Sequence, residues 1–400
     1  MKICLVLPPY LPVPAVRGGA VETLVEDLLR INEKERKLEI DCVTVYDKEA
    51  IKDFDKYPNT NFLTFSICRN KYINFILSAI NFIIRKITKF DIRKKIRSKK
   101  YNNLISSSQY DYVVFEGVNP YMSIELTKKV GKRKLILHLH KDTEPTKELE
   151  EMYGNFIGIS NFVSNRFGEN DIVEKNRVHT LYNGINFNKF DKKATEDEIK
   201  NLKEKYSIKK DEIVLIYTGR LLPVKGVKEL ILAFKQMKNK NKCKLLIVGS
   251  AVSCSNADTI YTKEIKELAK NENIIFTGYI QNNELYKFYQ MSDFAIFPST
   301  CEEGFGLVVV EAMYSRVPVI VTNSGGMKEI VNDKCGFNVE LDENLVFNLT
   351  KQMERLSNEN NLRQKMGNEA FKEAKKYSAE NYYKGYIQIL NCIKEAGEKS

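Results

Sequence analysis

The chain has 400 residues, 43% hydrophobic and 29% charged, and a formal net charge of +11. That length suggests two globular domains, and the 21 Tyr and 21 Phe can build their cores. A membrane-spanning helix is excluded, because the longest apolar run, Ile73–Ile84, is broken by Asn74, Ser78 and Asn81 and falls short of the ~20 residues a bilayer requires.

The sequence does not open like a secretory signal peptide: Met1-Lys2 runs directly into an apolar strand, Ile3–Leu7, that ends at Pro8-Pro9. Further strands are expected at Ile40–Tyr46, Asn61–Ser66, Tyr112–Glu116, Lys134–His140, Asn155–Ile159 and Val178–Tyr182. A second series follows at Ile213–Gly219, Lys244–Gly249, Ile274–Gly278, Phe294–Pro298 and Val319–Thr322. Helical patterns such as Val227–Lys238 and Thr262–Ala269 lie between them. The alternation predicts an α/β protein with parallel sheets covered by helices.

The polar stretch Asp191–Asp211 separates the two series and is read as the linker and the start of the second domain. The tail from Tyr377 has a helix cap in Ser378 and puts Tyr383, Tyr386, Ile387 and Leu390 on one helical face. The expected division is 1–190, 191–375 and a terminal helix over 376–400 that packs back towards the first domain. Two doubly wound domains facing each other would put a ligand at their strand ends, in the cleft between them.

None of the eight cysteines forms a C-x-x-C pair, so neither a zinc knuckle nor a redox motif is visible, and a reducing cytoplasm is expected. The positive charge is local: 85–100 holds nine basic residues and one acid, +8 of the +11. This run overlaps a helical stripe of Tyr72, Ile73, Ile76, Ile80, Ile83, Ile84 and Ile87. Either the helix packs on the core with a solvated basic face, or segment 72–100 lies on an anionic membrane surface. No nucleic-acid recognition motif accompanies the charge.

The stretch 294–331 carries the most chemistry. A buried strand ends at Pro298-Ser299; Glu302-Glu303-Gly304-Phe305-Gly306 follows, then the helix-like Leu307–Tyr314, then a strand and Ser324-Gly325-Gly326. A glycine-flanked turn at a helix start leaves backbone N–H groups for phosphate oxygens, and the helix dipole adds positive potential. Glu303 on the turn and Glu311 on the helix, eight positions on, can accept hydrogen bonds from sugar and ribose hydroxyls. The plainer alternative makes Glu303 a helix cap and Glu311 a solvated residue.

A second loop, Gly219-Arg220-Leu221-Leu222-Pro223-Val224-Lys225-Gly226, offers a guanidinium and an ammonium to a phosphate pair. His138 and His140 share one face of a strand; His138 reads as core, whereas His140, at the strand end before Lys141-Asp142-Thr143, can reach a ligand. His179 reads as structural. Asp53-Phe54-Asp55 lies in a polar stretch beside Lys52 and Lys56 and reads as chance surface sequence rather than a metal motif.

Taken together, these motifs resemble glycosyltransferase family 4, whose members have the GT-B fold and retain anomeric configuration. The resemblance rests on Glu303 and Glu311, on Arg220 and Lys225, on Gly18-Gly19, His140, Asn183-Gly184-Ile185-Asn186 and Gly325-Gly326. It implies that Arg220 and Lys225 bind the diphosphate, and that Glu303 with the backbone of Gly304, Phe305, Gly306 and Leu307 holds the donor sugar and phosphates. It further implies that Glu311 binds ribose, that Tyr279 and Ile280 lie beside the nucleobase, that Gly18 and Gly19 admit donor and acceptor, and that His140 faces the reacting sugar. The first domain would then bind the acceptor and the second a nucleotide sugar, with no metal and no cofactor.

The implied activity is hexosyl transfer from a nucleotide sugar, UDP-linked on family prevalence, to a glycan or lipid-linked acceptor of the cell envelope. The enzyme would be cytoplasmic, peripheral at the inner membrane face. A nucleotide-sugar epimerase or hydrolase of the same architecture, or a non-catalytic binding subunit, remains the alternative. Two positions depart from the family: Arg316 stands where a small residue, often Gly, is usual, and Arg36-Lys37-Leu38-Glu39 replaces a Gly-His pair.

Overall fold

The computed structural model describes residues 1–65, 92–106, 109–251 and 257–398. The expected stripe from Tyr72 to Ile87 and the first part of the basic run lie outside these residues; the last part forms a helix, Ile92–Ile105. The chain divides into two compact units, Met1–Gly184 with Ala379–Ser400, and Ile185–Ser378. The division falls between Gly184 and Ile185, within the Asn183–Asn186 motif, and the stretch read as a linker holds a helix, Glu196–Lys205, closed by a Thr195/Glu198 capping box. Ile185 bridges Ser378 and donates its N–H to the Tyr377 carbonyl at 2.8 Å, so the two chain passages run side by side.

In the first unit the strands are β1 (Lys2–Val6), β2 (Glu39–Val45), β3 (Thr60–Phe65), β4 (Tyr112–Glu116), β5 (Leu135–Leu139), β6 (Asn155–Gly158) and β7 (Val178–Thr180). They form one parallel sheet in the order β3-β2-β1-β4-β5-β6-β7. The second unit has β8 (Ile213–Thr218), β9 (Cys243–Val248), β10 (Ile274–Gly278), β11 (Phe294–Phe297), β12 (Val319–Thr322) and β13 (Gly336–Val339), parallel in the order β10-β9-β8-β11-β12-β13. The order reverses between β1 and β4 and again between β8 and β11, so each sheet has a switch point where loops diverge.

The strands are nearly continuous apolar runs because helices cover both faces of such sheets. β13 was not expected from the sequence: Gly-Phe-Asn-Val is four residues long, half polar or glycine, and forms the sheet edge. The terminal helix Ala379–Glu398 belongs to the first unit's core, where Tyr382, Tyr383, Tyr386, Leu390 and Ile393 pack with Ile3, Leu5, Leu28 and Val114. Among the described residues no helix is long and apolar enough to cross a membrane.

Both departures from the family pattern have local compensation. Arg316 adopts φ 62, the left-handed conformation that favours glycine, and its guanidinium lies 4.1 Å from the Phe371 ring centroid and donates to Asn368 Oδ1 at 2.9 Å. Arg36 ends the helix Ala20–Glu35 at φ 52, and the Asn32 side chain bonds both the N–H and the carbonyl of Leu38, at 3.1 and 2.9 Å. Tyr383 Oη donates to the same Asn32 Oδ1 at 2.6 Å, which ties the terminal helix to this turn.

Leu390 is fully buried in this cluster, whereas Cys392, two residues on, is exposed. Leu390→Ala is therefore expected to destabilise the protein by about 3 kcal/mol and Cys392→Ser by no more than about 0.5 kcal/mol, read from denaturant midpoints.

Candidate functional site

At the switch point of the second unit, the loops after β8 and β11 are locked together through backbone. A Cβ on Gly226, which has φ 70, would sit 1.8 Å from the Pro298 carbonyl oxygen, and Thr300 donates its N–H to the Val224 carbonyl at 2.9 Å. Only glycine permits that approach. The loop after β12 closes the other side. A Cβ on Gly325 (φ 52) would lie 2.2 Å from the Glu303 carbonyl oxygen, and that oxygen accepts the Gly326 N–H at 2.7 Å.

Glu303 is thereby fixed in backbone, and its side chain is fixed as well. Ser299 Oγ donates to Glu303 Oε1 at 2.6 Å, and the Lys225 ammonium bonds the same oxygen. Both side chains of this ion pair are about four-fifths buried, with exposures of 21% and 18%. An ammonium carries three donors, so Lys225 can hold Glu303 and still address an anion. Arg220 is exposed, and its carbonyl accepts the Tyr217 hydroxyl at 2.9 Å. Burial, then the charge of Glu303, raises the Tyr217 phenol, while Arg220 opposes the shift, so the two charges act on one hydroxyl.

The helix Leu307–Tyr314 starts directly after Gly306, which has φ 112 and contributes no side-chain cap. Val309 donates its N–H to the Gly306 carbonyl at 3.0 Å; a helix start with no side-chain cap is the kind of place where backbone amides and the helix dipole can meet an anion. Glu311, one turn further on, is not a solvated helix residue. Tyr289 Oη donates to its Oε2 at 3.2 Å and is paired with Thr218 Oγ1 at 2.7 Å. Burial pushes the Glu311 carboxyl up to about 7, against the smaller opposing effects of Tyr289 and Lys189. Gly278 has φ 75 at the end of β10, and its carbonyl accepts the Gly249 N–H at 3.0 Å; Tyr279 follows, 37% exposed, then Ile280.

The remaining expected residues belong to the first unit. Gly18 and Gly19 have φ 73 and 104, and Gly19 caps the helix Ala20–Glu35. A Cβ on Gly19 would lie 2.0 Å from the Glu22 carboxylate, which burial shifts upward. His140 follows β5, and its Nε2 is 2.7 Å from Glu116 Oε2, to which His138 Nδ1 also bonds at 2.9 Å. Among the described residues this is the one group of His and carboxylate ligand atoms within 4.8 Å of one another that could hold a metal ion. One carboxylate oxygen, Glu116 Oε2, serves both imidazoles. Asp53, by contrast, pairs with Lys56 at 2.8 Å, and Asp55 is exposed.

Four contributors escaped the sequence reading: Thr218, Tyr289, Ser299 and Glu116. Three sit at the C-terminal ends of strands or just beyond, where a polar residue closing an apolar run is itself a signal. Tyr289 carries no such mark: it is one of three aromatic residues in the short helix Leu285–Gln290, and nothing in the pattern singles it out.

Residues 198–373 match the family described as "Glycosyl transferases group 1". The chain is 27% identical over 341 residues to a lipopolysaccharide 1,2-N-acetylglucosaminetransferase of Salmonella typhimurium, covering 83% of each chain. It is 29% identical over 252 residues to the capsular polysaccharide biosynthesis glycosyltransferase CapM of Staphylococcus aureus, 61% of this chain and 63% of that one. In fold it matches a glycosyltransferase from Rickettsia africae with a TM-score of 0.73 at 21% identity, over 98% of both chains. It also matches Anabaena HepE in complex with UDP and glucose, with a TM-score of 0.70 at 18% identity, over 98% of this chain and 100% of that one. The two parallel sheets and these matches define the protein as a glycosyltransferase of the GT-B architecture.

The raised Glu311 carboxyl gives a signed pH dependence. Between the unfolded value near 4.5 and the folded value about 7, the folded chain binds the extra proton, so this group's contribution to stability falls as pH rises through that window. Glu311→Gln is expected to flatten that decline and to raise stability at pH 8; denaturant unfolding at pH 5, 6, 7 and 8 measures both.

Proposed function

We propose that the protein transfers a hexose, with retention, from a UDP-linked donor to a glycan or lipid-linked acceptor of the cell envelope, as a family 4 enzyme. The observation that carries the reading is the ion pair of Lys225 and Glu303 at a helix tip, within the same loops that hold Arg220. The Salmonella and Staphylococcus relatives, named for lipopolysaccharide and capsular polysaccharide, support the acceptor class, and Anabaena HepE with UDP and glucose supports the donor.

In this mechanism Arg220, Lys225 and the amides following Gly304 neutralise the diphosphate, an electrostatic contribution made where charge develops on the leaving group. The bond from the sugar's anomeric carbon to the β-phosphate oxygen breaks, and the acceptor oxygen bonds to that carbon on the same face. The acceptor proton passes to the leaving phosphate. Cations and a helix N-terminus supply the positive potential, so the proposed reaction needs no metal. Glu303 accepts a sugar hydroxyl, Glu311 the ribose hydroxyls, and His140 a hydroxyl of the transferred sugar; Tyr279 and Ile280 flank the base, and Gly18-Gly19 lets substrate approach backbone.

We extend the proposal to a cytoplasmic enzyme that works at the inner membrane face, supported by the exposed Lys95, Ile96, Lys99 and Lys100 of the basic helix. Nucleic acid is not a partner in this reading.

The test is transfer itself. Nucleoside diphosphate release should match glycosylated acceptor one for one, and Lys225→Ala or Glu303→Ala should lower kcat/KM by about 100-fold or more. Full rate in either variant, or release without a glycosylated product, rejects the reading. In a thermal-shift panel, UDP-sugars should raise the melting midpoint more than GDP-, ADP- or dTDP-sugars.

A further inference from the structure

The cluster under His140 has more structure than a ligand-facing histidine requires. Glu116 ends β4 and is the register partner of His138 in β5, so their side chains share one face of the sheet. His140, two positions on, falls on the same face, and the two imidazole centroids are 4.2 Å apart. Glu116 and His138 are completely buried. Tyr382 of the terminal helix lies parallel to His138 at 6.4 Å, and Tyr386 packs beside Tyr382 at 5.9 Å.

Four buried polar atoms of these residues have no hydrogen-bond partner at ordinary geometry: Glu116 Oε1, His138 Nε2, Tyr382 Oη and Tyr386 Oη; Tyr386 still acts on the Glu116 carboxylate. Burial, then the Glu116 charge, holds both phenols in their neutral form. Burial works to raise the Glu116 carboxyl as well, but His138 and the hydrogen bonds from both imidazoles outweigh it, and the group stays ionised. Cys42 also feels this charge, after burial, and is kept a thiol. Beyond the ring, Asp142 is engaged by Arg166 at 2.9 Å.

An ionised carboxylate only accepts hydrogen bonds. The nitrogen of each imidazole that meets Glu116 Oε2 must therefore carry the proton: Nδ1 in His138 and Nε2 in His140. We propose that Glu116 is a positioning residue that fixes His140 in its Nε2–H tautomer, so that the ring presents Nδ1 as a hydrogen-bond acceptor to a sugar hydroxyl. This deepens the role given to His140 above and rests on it. Burial and the neighbouring His138 hold the His140 imidazole below its ordinary value, with Glu116 opposing, which favours the neutral ring such an acceptor needs. The carboxylate thus sets which ring nitrogen faces the ligand.

The chain has three histidines, so long-range 15N–1H spectra of the full protein resolve each tautomer, with His140→Gln for assignment. The expected result at pH 7.5 is Nε2–H for His140 and Nδ1–H for His138. Nδ1–H or an averaged mixture at His140 overturns the proposal without any variant of Glu116. In Glu116→Gln, His140 should become a tautomer mixture and kcat should fall about tenfold or more. UDP, which has no transferred sugar to offer, should bind that variant within about twofold of wild type. Wild-type kcat in a variant whose tautomer has changed rejects the positioning role. Failure of the function proposed above is distinguishable: His140→Ala at full rate, or no transfer at all, would leave the tautomer spectrum of the wild type as it is.

Discussion

The second unit depends on one contact between loops: the Gly325-Gly326 backbone pressed against Glu303, whose carboxylate is held by Lys225 and Ser299. Three loops from three strands meet there, after β8, β11 and β12. None of them could approach as closely with a side chain at Gly226 or Gly325, since the nearest carbonyl oxygens stand 1.8 and 2.2 Å from where a Cβ would be. The result is a carboxylate and an ammonium pre-positioned beside the start of a helix that no side chain caps. Paired so, neither charge is left alone in a partly dry site, where an unpaired charge would be costly.

The first unit solves a related problem differently. Its switch point also gathers charge, but here a single carboxylate is buried beneath two imidazoles and roofed by tyrosines from the end of the chain. The terminal helix therefore has a chemical as well as a packing role. It completes the core around Ile3, Leu5 and Val114 and also sets the low-dielectric surroundings of Glu116.

The sheets were legible in the sequence because strands buried on both faces write themselves as uninterrupted apolar runs; β13, short and at an edge, did not. Glu303, Arg220, Lys225 and the glycines were legible because their chemistry is concentrated in short loops. What could not be read was which side chains meet across strands. Glu116 and His138 are 22 residues apart and become neighbours only through the β4–β5 register. Tyr289 reaches Glu311 and Thr218 only once its helix is seated. Arg316 stood out as a departure where a small residue is usual; its left-handed backbone is accompanied by guanidinium contacts to Phe371 and Asn368, over 50 residues away.

The proposed reading has Lys225, Arg220 and the start of the helix Leu307–Tyr314 together recognise a pyrophosphate. Calorimetric titration of UDP and of uridine into the wild type and into an Arg220→Ala, Lys225→Ala double variant tests it most directly. Loss of two charge-assisted contacts should weaken UDP binding by about 100-fold or more while leaving uridine unchanged. Equal affinity of both proteins for UDP would contradict the account.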